Sequence, residues 1–121
     1  MVLDSNILID YLLKEDKAVK TISELTLKGQ VFFISSVSVA ELLALPDLSV
    51  LETMEIKNFL RNFISVPFDD HVAEIVGMIK RTYGLKIPDA AIAALALIRN
   101  VPLITRDREF QKIREITVVE I

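Results

Sequence analysis

Apolar positions follow two spacings along the chain. Short runs of β-favouring residues occur at Met1 to Leu3, Val31 to Ile34, Ile64 to Val66, Pro102 to Ile104 and Thr117 to Val119. Between them, apolar residues recur every three or four positions, the period of a helix with one buried face. Asp4-Ser5-Asn6 offers N-cap chemistry to a helix through Ile7, Leu8, Tyr11 and Leu12, and a second helix from Asp16 to Lys28 should stop at Gly29. Serines 35, 36 and 38 open a helix through Glu41 to Leu45, which Pro46 closes. Helices are also predicted over Leu48 to Asn62 and over Asp69 to Tyr83, the latter carrying Val72, Ile75, Val76, Ile79 and Tyr83 on one face and ending at Gly84. Pro88 suits the first turn of a helix whose body, Ala90 to Ile98, is apolar on every side and should pack centrally. Arg108 to Lys112 reads as a short helical turn.

Strands separated by helices require crossover connections, which are right-handed and give a parallel sheet. The fold class expected is therefore α/β, a three-layer sandwich with a central parallel sheet flanked by helices. At 121 residues, with three glycines, four prolines and no biased linker, the chain is expected to form a single domain, 1–121.

Composition narrows the chemistry. An apolar fraction of 52% is high for a globular chain, so part of that surface should meet a partner. The longest apolar run, Ala90 to Ile98, is nine residues, against the roughly 18 that cross a bilayer. With no basic, apolar and small-residue leader pattern at Met1, the expected location is cytoplasmic. A formal net charge of −3 argues against nucleic-acid binding by bulk positive charge. No cysteine and one histidine, His71, exclude thiolate chemistry and any site built on two imidazoles, which leaves oxygen ligands.

Four carboxylates occupy positions that sheet geometry brings to one edge. Asp4 follows the first strand and Asp107 the fourth, at the carboxyl ends where open α/β sheets bind ligands. Asp89 opens the alanine-rich helix that carries the chain away from that edge, and Glu41 sits early in a helix whose side chains lean back toward it. Each also has a structural explanation: Asp4 and Asp107 as N-caps, Asp89 as an acid favourable to a helix dipole, and Ser38-Val39-Ala40-Glu41 as a capping box. Together, however, four carboxylates at one edge repel unless a cation neutralises them, and all-oxygen ligands suit Mg²⁺ or Mn²⁺.

The motifs around these acids resemble those of the PIN domain family. Asp4-Ser5-Asn6-Ile7-Leu8-Ile9, Val39-Ala40-Glu41-Leu42, Ile87-Pro88-Asp89-Ala90-Ala91-Ile92-Ala93-Ala94 and Leu103-Ile104-Thr105-Arg106-Asp107-Arg108-Glu109-Phe110 match its four acidic motifs in order and spacing. The chain is most similar to the VapC-type toxins of toxin–antitoxin pairs. That resemblance implies a Mg²⁺- or Mn²⁺-dependent endoribonuclease in which Asp4, Glu41, Asp89 and Asp107 bind one or two ions and carry catalysis. Ser5, Asn6 and Thr105 would orient those carboxylates. It further implies an RNA substrate, a cognate antitoxin and a homodimer.

Lys80, Arg81 and Lys86 before Asp89, and Arg106 and Arg108 around Asp107, are candidates for holding RNA phosphates. Phe32, Phe33, Phe59, Phe63 and Phe68 are better explained as core than as base-stacking groups, and His71 as part of the first turn of a surface helix. The leucine-rich stretch Leu42 to Leu60 is the expected dimer or antitoxin surface. The alternatives are a PIN nuclease of RNA processing or a receiver-type Mg²⁺-binding signalling domain. The latter would need paired acids after the first strand and a lysine near Thr105 to Phe110, and both are missing. Without the four candidate ligands, thirteen acidic residues face fourteen basic ones, so the chain's acidity is concentrated at the expected site.

Overall fold

The computed structural model describes residues 1–121. In chain order it comprises β1 (Val2–Leu3), α1 (Ser5–Leu12), α2 (Asp16–Leu27), β2 (Phe33–Ser35), α3 (Ser36–Leu43), α4 (Val50–Leu60), β3 (Ile64–Val66), α5 (Asp70–Tyr83), α6 (Ile87–Arg99), β4 (Leu103–Thr105), a 3₁₀ turn (Arg108–Lys112) and β5 (Val118–Glu120). The five strands form one all-parallel sheet, as the alternating pattern predicts, and their order is β3-β2-β1-β4-β5.

Strand order dictates where the helices lie. From β1 the chain steps outward to β2 and β3, then returns past β1 to β4 and β5. Right-handed crossovers running in opposite directions place their helices on opposite faces. The period-two alternation of the strands matches this. Val2 and Leu103 join Ile79, Ile92, Leu95 and the 3₁₀-turn residue Phe110 in one core, whereas Leu3, Ile34 and Ile104 join Ile7, Leu8, Ile22, Leu42 and Ile56 in the other. Helix α6 is buried from Ala90 through Ala96, its alanines allowing close approach to both sheet and α5, and it emerges at Ile98.

Several terminations follow local chemistry. Glu15 caps α2 by accepting from the Lys17 and Ala18 N–H groups, and Asp69 caps α5 through Val72 N–H. Gly84 ends α5 in the left-handed region at φ 72°, where a glycine carries no Cβ penalty. One expected cap is corrected: Ser38 and Glu41 form no capping box, because α3 starts earlier, with Ser35 accepting from Val37 N–H. The reciprocal box belongs to Ser49 and Glu52 at the start of α4. Among the phenylalanines, Phe32 and Phe63 are buried and Phe59 half-buried. Tyr11, Phe59 and Phe63 pack edge to face, at centroid separations of 5.2 to 6.3 Å.

Candidate active site

The reversal of strand order falls between β1 and β4, so their carboxyl ends flank the crevice where a doubly wound sheet binds ligands. Asp4 leaves β1 there and is only 3% exposed. Although it holds the N-cap position of α1, its side chain caps nothing. Instead Asp4 Oδ2 accepts a hydrogen bond from the Thr105 hydroxyl at 2.7 Å, across the β1–β4 seam. The same hydroxyl accepts from the Asp107 N–H at 2.9 Å, so one fully buried threonine ties together the backbone of one candidate acid and the carboxylate of another. Asp107 Oδ1 in turn accepts from Glu109 N–H at 2.9 Å and starts the 3₁₀ turn.

Glu41 approaches from α3, and its Oε1 accepts from the Ser5 hydroxyl at 2.9 Å. Asp89 lies in the first turn of α6, where Pro88 supplies the preset backbone angle and the absent N–H costs no helix bond. With Asp107 and Glu109 it lines a cleft of about 290 Å³, completed by Gly84, Leu85 and Lys86.

The electrostatics show that these acids sense one another. Burial pushes the Asp4 carboxyl up, and the charges of Asp89 and Asp107 push the same way, while hydrogen bonds from Thr105 and the Ser5 backbone oppose them. Asp89 is likewise raised, first by burial and then by Asp107 and Glu41, with Lys86 pulling it down. Glu41 and Asp107 each have one oxygen held by a protein donor, leaving the second available. No three acidic or histidine side chains close into a tight ligand cluster: Asp89, Asp107 and Glu109 line the open cleft, Asp4 is buried and joined to the Asp107 backbone through Thr105, and Glu41 is tied to Ser5. An all-oxygen donor set, in which the Asp4 and Asp89 carboxyls are pushed to higher pKa by burial and by neighbouring acids, fits a hard divalent cation better than a thiol- or imidazole-seeking metal.

The other candidates divide. Ser5 and Thr105 contact the acids directly, whereas Asn6 is exposed and its amide bonds to none of them in this structure. Of the cations, Lys86 lines the cleft, and Lys80 Nζ reaches the Leu85 carbonyl at 3.4 Å. Arg81 is exposed in the last turn of α5. Arg106 and Arg108 are engaged by acids, pairing with Asp10 and with Glu120 at 3.2 Å each. His71 is exposed in the first turn of α5. Sequence reasoning missed Ser38, buried at 0% exposure with its hydroxyl 2.7 Å from that of Ser5, and Glu109, the further acid of the cleft. Its signal was position: Ser38 stands three residues before Glu41 and shares its helical face.

The largest cavity lies elsewhere, about 830 Å³ between α1, α2 and α4, lined by Tyr11, Leu12, Val19 and Phe59 together with polar and charged residues, among them Lys14, Lys20 and Glu55. Outside it, Val50, Leu51 and Met54 of α4 are exposed. No helix is long and apolar enough to cross a membrane.

Fold and site together define a doubly wound α/β domain with an acidic cleft at its switch point. The PIN domain sequence model matches residues 1–116, and the chain belongs to that family. This sets aside the receiver-type alternative. Solved structures similar to it include a toxin–antitoxin complex from Klebsiella pneumoniae, 27% identical with a TM-score of 0.79, covering 99% of this chain and 98% of that one. VapBC2 from Rickettsia felis, bound to a DNA fragment from its promoter, is 25% identical with a TM-score of 0.78, covering 99% and 97%. FitAcB from Neisseria gonorrhoeae is 26% identical with a TM-score of 0.74, covering 98% and 96%. No curated protein sequence matches the chain.

Proposed function

We propose that this chain is the toxin of a VapBC-type pair, a Mg²⁺- or Mn²⁺-dependent endoribonuclease in which residues 1–121 act as one domain. The observation that supports this reading is the acidic cleft beside the β1–β4 switch point, where burial and the charges of neighbouring acids, Asp107 and Glu41 among them, raise the pKa of Asp4 and Asp89 and only oxygen ligands are available. Bound there, one or two such ions would supply Lewis acidity, activating water and neutralising charge on the attacked phosphodiester. The four carboxylates, Asp4, Glu41, Asp89 and Asp107, would hold the metal. Thr105 aims Asp4 and the Asp107 loop, and Ser5 aims Glu41. Lys86, beside Asp89, is the cation best sited to hold an RNA phosphate, with Lys80 and Arg81 following on α5. No protein nucleophile is required, in keeping with the absence of cysteine.

The toxin reading over a nuclease of RNA processing is supported by the neighbours, which are toxin–antitoxin complexes, and by the apolar groove of α1, α2 and α4, which suits an antitoxin segment. The exposed Val50, Leu51 and Met54 support a second copy. The test is incubation of the purified chain with RNA in Mn²⁺, in Mg²⁺ and in excess chelator. Cleavage with either metal, giving 5′-phosphate and 3′-hydroxyl ends, is expected, and cleavage that persists undiminished in chelator overturns the reading.

A further inference from the structure

The hydroxyls of Ser5 and Ser38 lie 2.7 Å apart, and Ser5 Oγ is 2.9 Å from Glu41 Oε1. Bond counting fixes the direction of this chain. A serine has one hydroxyl hydrogen, and the stronger acceptor for that of Ser5 is the carboxylate. Ser38 must therefore be the donor to Ser5. Its hydroxyl is completely buried and serves no cap, since Ser35 fills that role on α3. A polar group taken wholly out of water costs free energy unless bonded, and the bond to Ser5 is what compensates it here.

We propose that Ser38 is a positioning residue: its hydroxyl donates to Ser5, commits the Ser5 hydrogen to Glu41, and so fixes the orientation of that carboxylate. The relay runs Ser38 to Ser5 to Glu41, linking α3 to the first turn of α1 beside Asp4. Ser38 also lies one helical turn from Glu41, so the serine and the carboxylate it steadies move as one rigid element. Each donor polarises the next, so removing the first weakens the last. The metal part of this inference rests on the function proposed above, but the hydrogen-bond part does not.

The experiment is a double-mutant cycle on Ser38→Ala and Ser5→Ala with two readouts. The first is the Mn²⁺ dissociation constant by calorimetric titration of each variant, with its melting temperature taken in chelator. Ser38→Ala should weaken Mn²⁺ binding about three- to tenfold, at or below the lower end of what partners bonded directly to metal ligands cost. Ser5→Ala should weaken it more, and the double variant should match Ser5→Ala alone. The second readout is the side-chain carboxyl ¹³C resonance of Glu41 in the metal-free protein, which should shift in Ser38→Ala and shift no further when Ser38→Ala is added to Ser5→Ala. Additive effects in the cycle, or an unmoved Glu41 resonance in Ser38→Ala, overturn the proposal. Wild-type protein that binds no Mn²⁺ defeats the metal reading instead, and the Glu41 resonance still decides the relay.

Discussion

Thr105 donates its hydroxyl to Asp4 Oδ2 at 2.7 Å, joining residues 101 positions apart at the point where the sheet reverses. Thr105 is fully buried and Asp4 nearly so, which shelters this bond from solvent. Replacing the threonine by valine keeps its shape but removes the donor and leaves Asp107 N–H without its acceptor. Thr105→Val should destabilise the fold by about 1 to 3 kcal/mol and lower metal-dependent cleavage by roughly ten- to a hundredfold. Thr105→Ser should restore most of both, as read by denaturant titration and RNA cleavage.

The raised pKa values of Asp4 and Asp89 set a pH dependence with a defined sign. A carboxyl whose pKa is higher folded than unfolded favours the folded state when protonated. Its stabilisation is complete below the unfolded value and is lost as pH rises through the folded one. In chelator, Asp89→Asn should therefore melt higher than wild type at pH 7.5 and no higher at pH 4. Mn²⁺ should raise the melting temperature of the wild type at neutral pH far more than in acid. Thermal melts across that range check it, and a variant that gains nothing at neutral pH counts against the coupled cleft.

The groove of α1, α2 and α4 is remote in chemistry from the acids, so binding there should separate from cleavage. Val19 lines it at half-burial, and Val19→Glu would set a charge against an apolar partner. The substitution should weaken antitoxin binding by on the order of tenfold or more while RNA cleavage stays within twofold of wild type. Binding by calorimetry and cleavage by gel on the same preparation distinguish the two effects.

Much of this architecture was legible because the signals were local. Strand runs, glycine and proline stops and the all-apolar helix α6 each declare themselves within a dozen residues, and parallel crossovers then bring Asp4, Asp89 and Asp107 to one edge. What escaped depends on tertiary context. The pattern Ser-x-x-Glu occurs at Ser38 to Glu41 and again at Ser49 to Glu52, and only the second is a capping box. At the first, Ser38 turns inward to Ser5 because α3 has already begun at Ser36. Asp10 and Glu120 hold Arg106 and Arg108 across elements whose proximity no local pattern announces, which is why both arginines read as free cations in the sequence. Asn6 occupies a position in the motif, yet the first turn of α1 faces it to solvent.

The central claim, that the acidic cleft is a metal-dependent nuclease centre, is tested most directly by Asp4→Asn and Asp89→Asn. Asparagine preserves an acceptor for Thr105 and the volume of each side chain while removing one charge. Both variants should fold, with cooperative melts, and should lose Mn²⁺-dependent RNA cleavage by at least about a hundredfold. Wild-type cleavage retained by both variants would contradict the account.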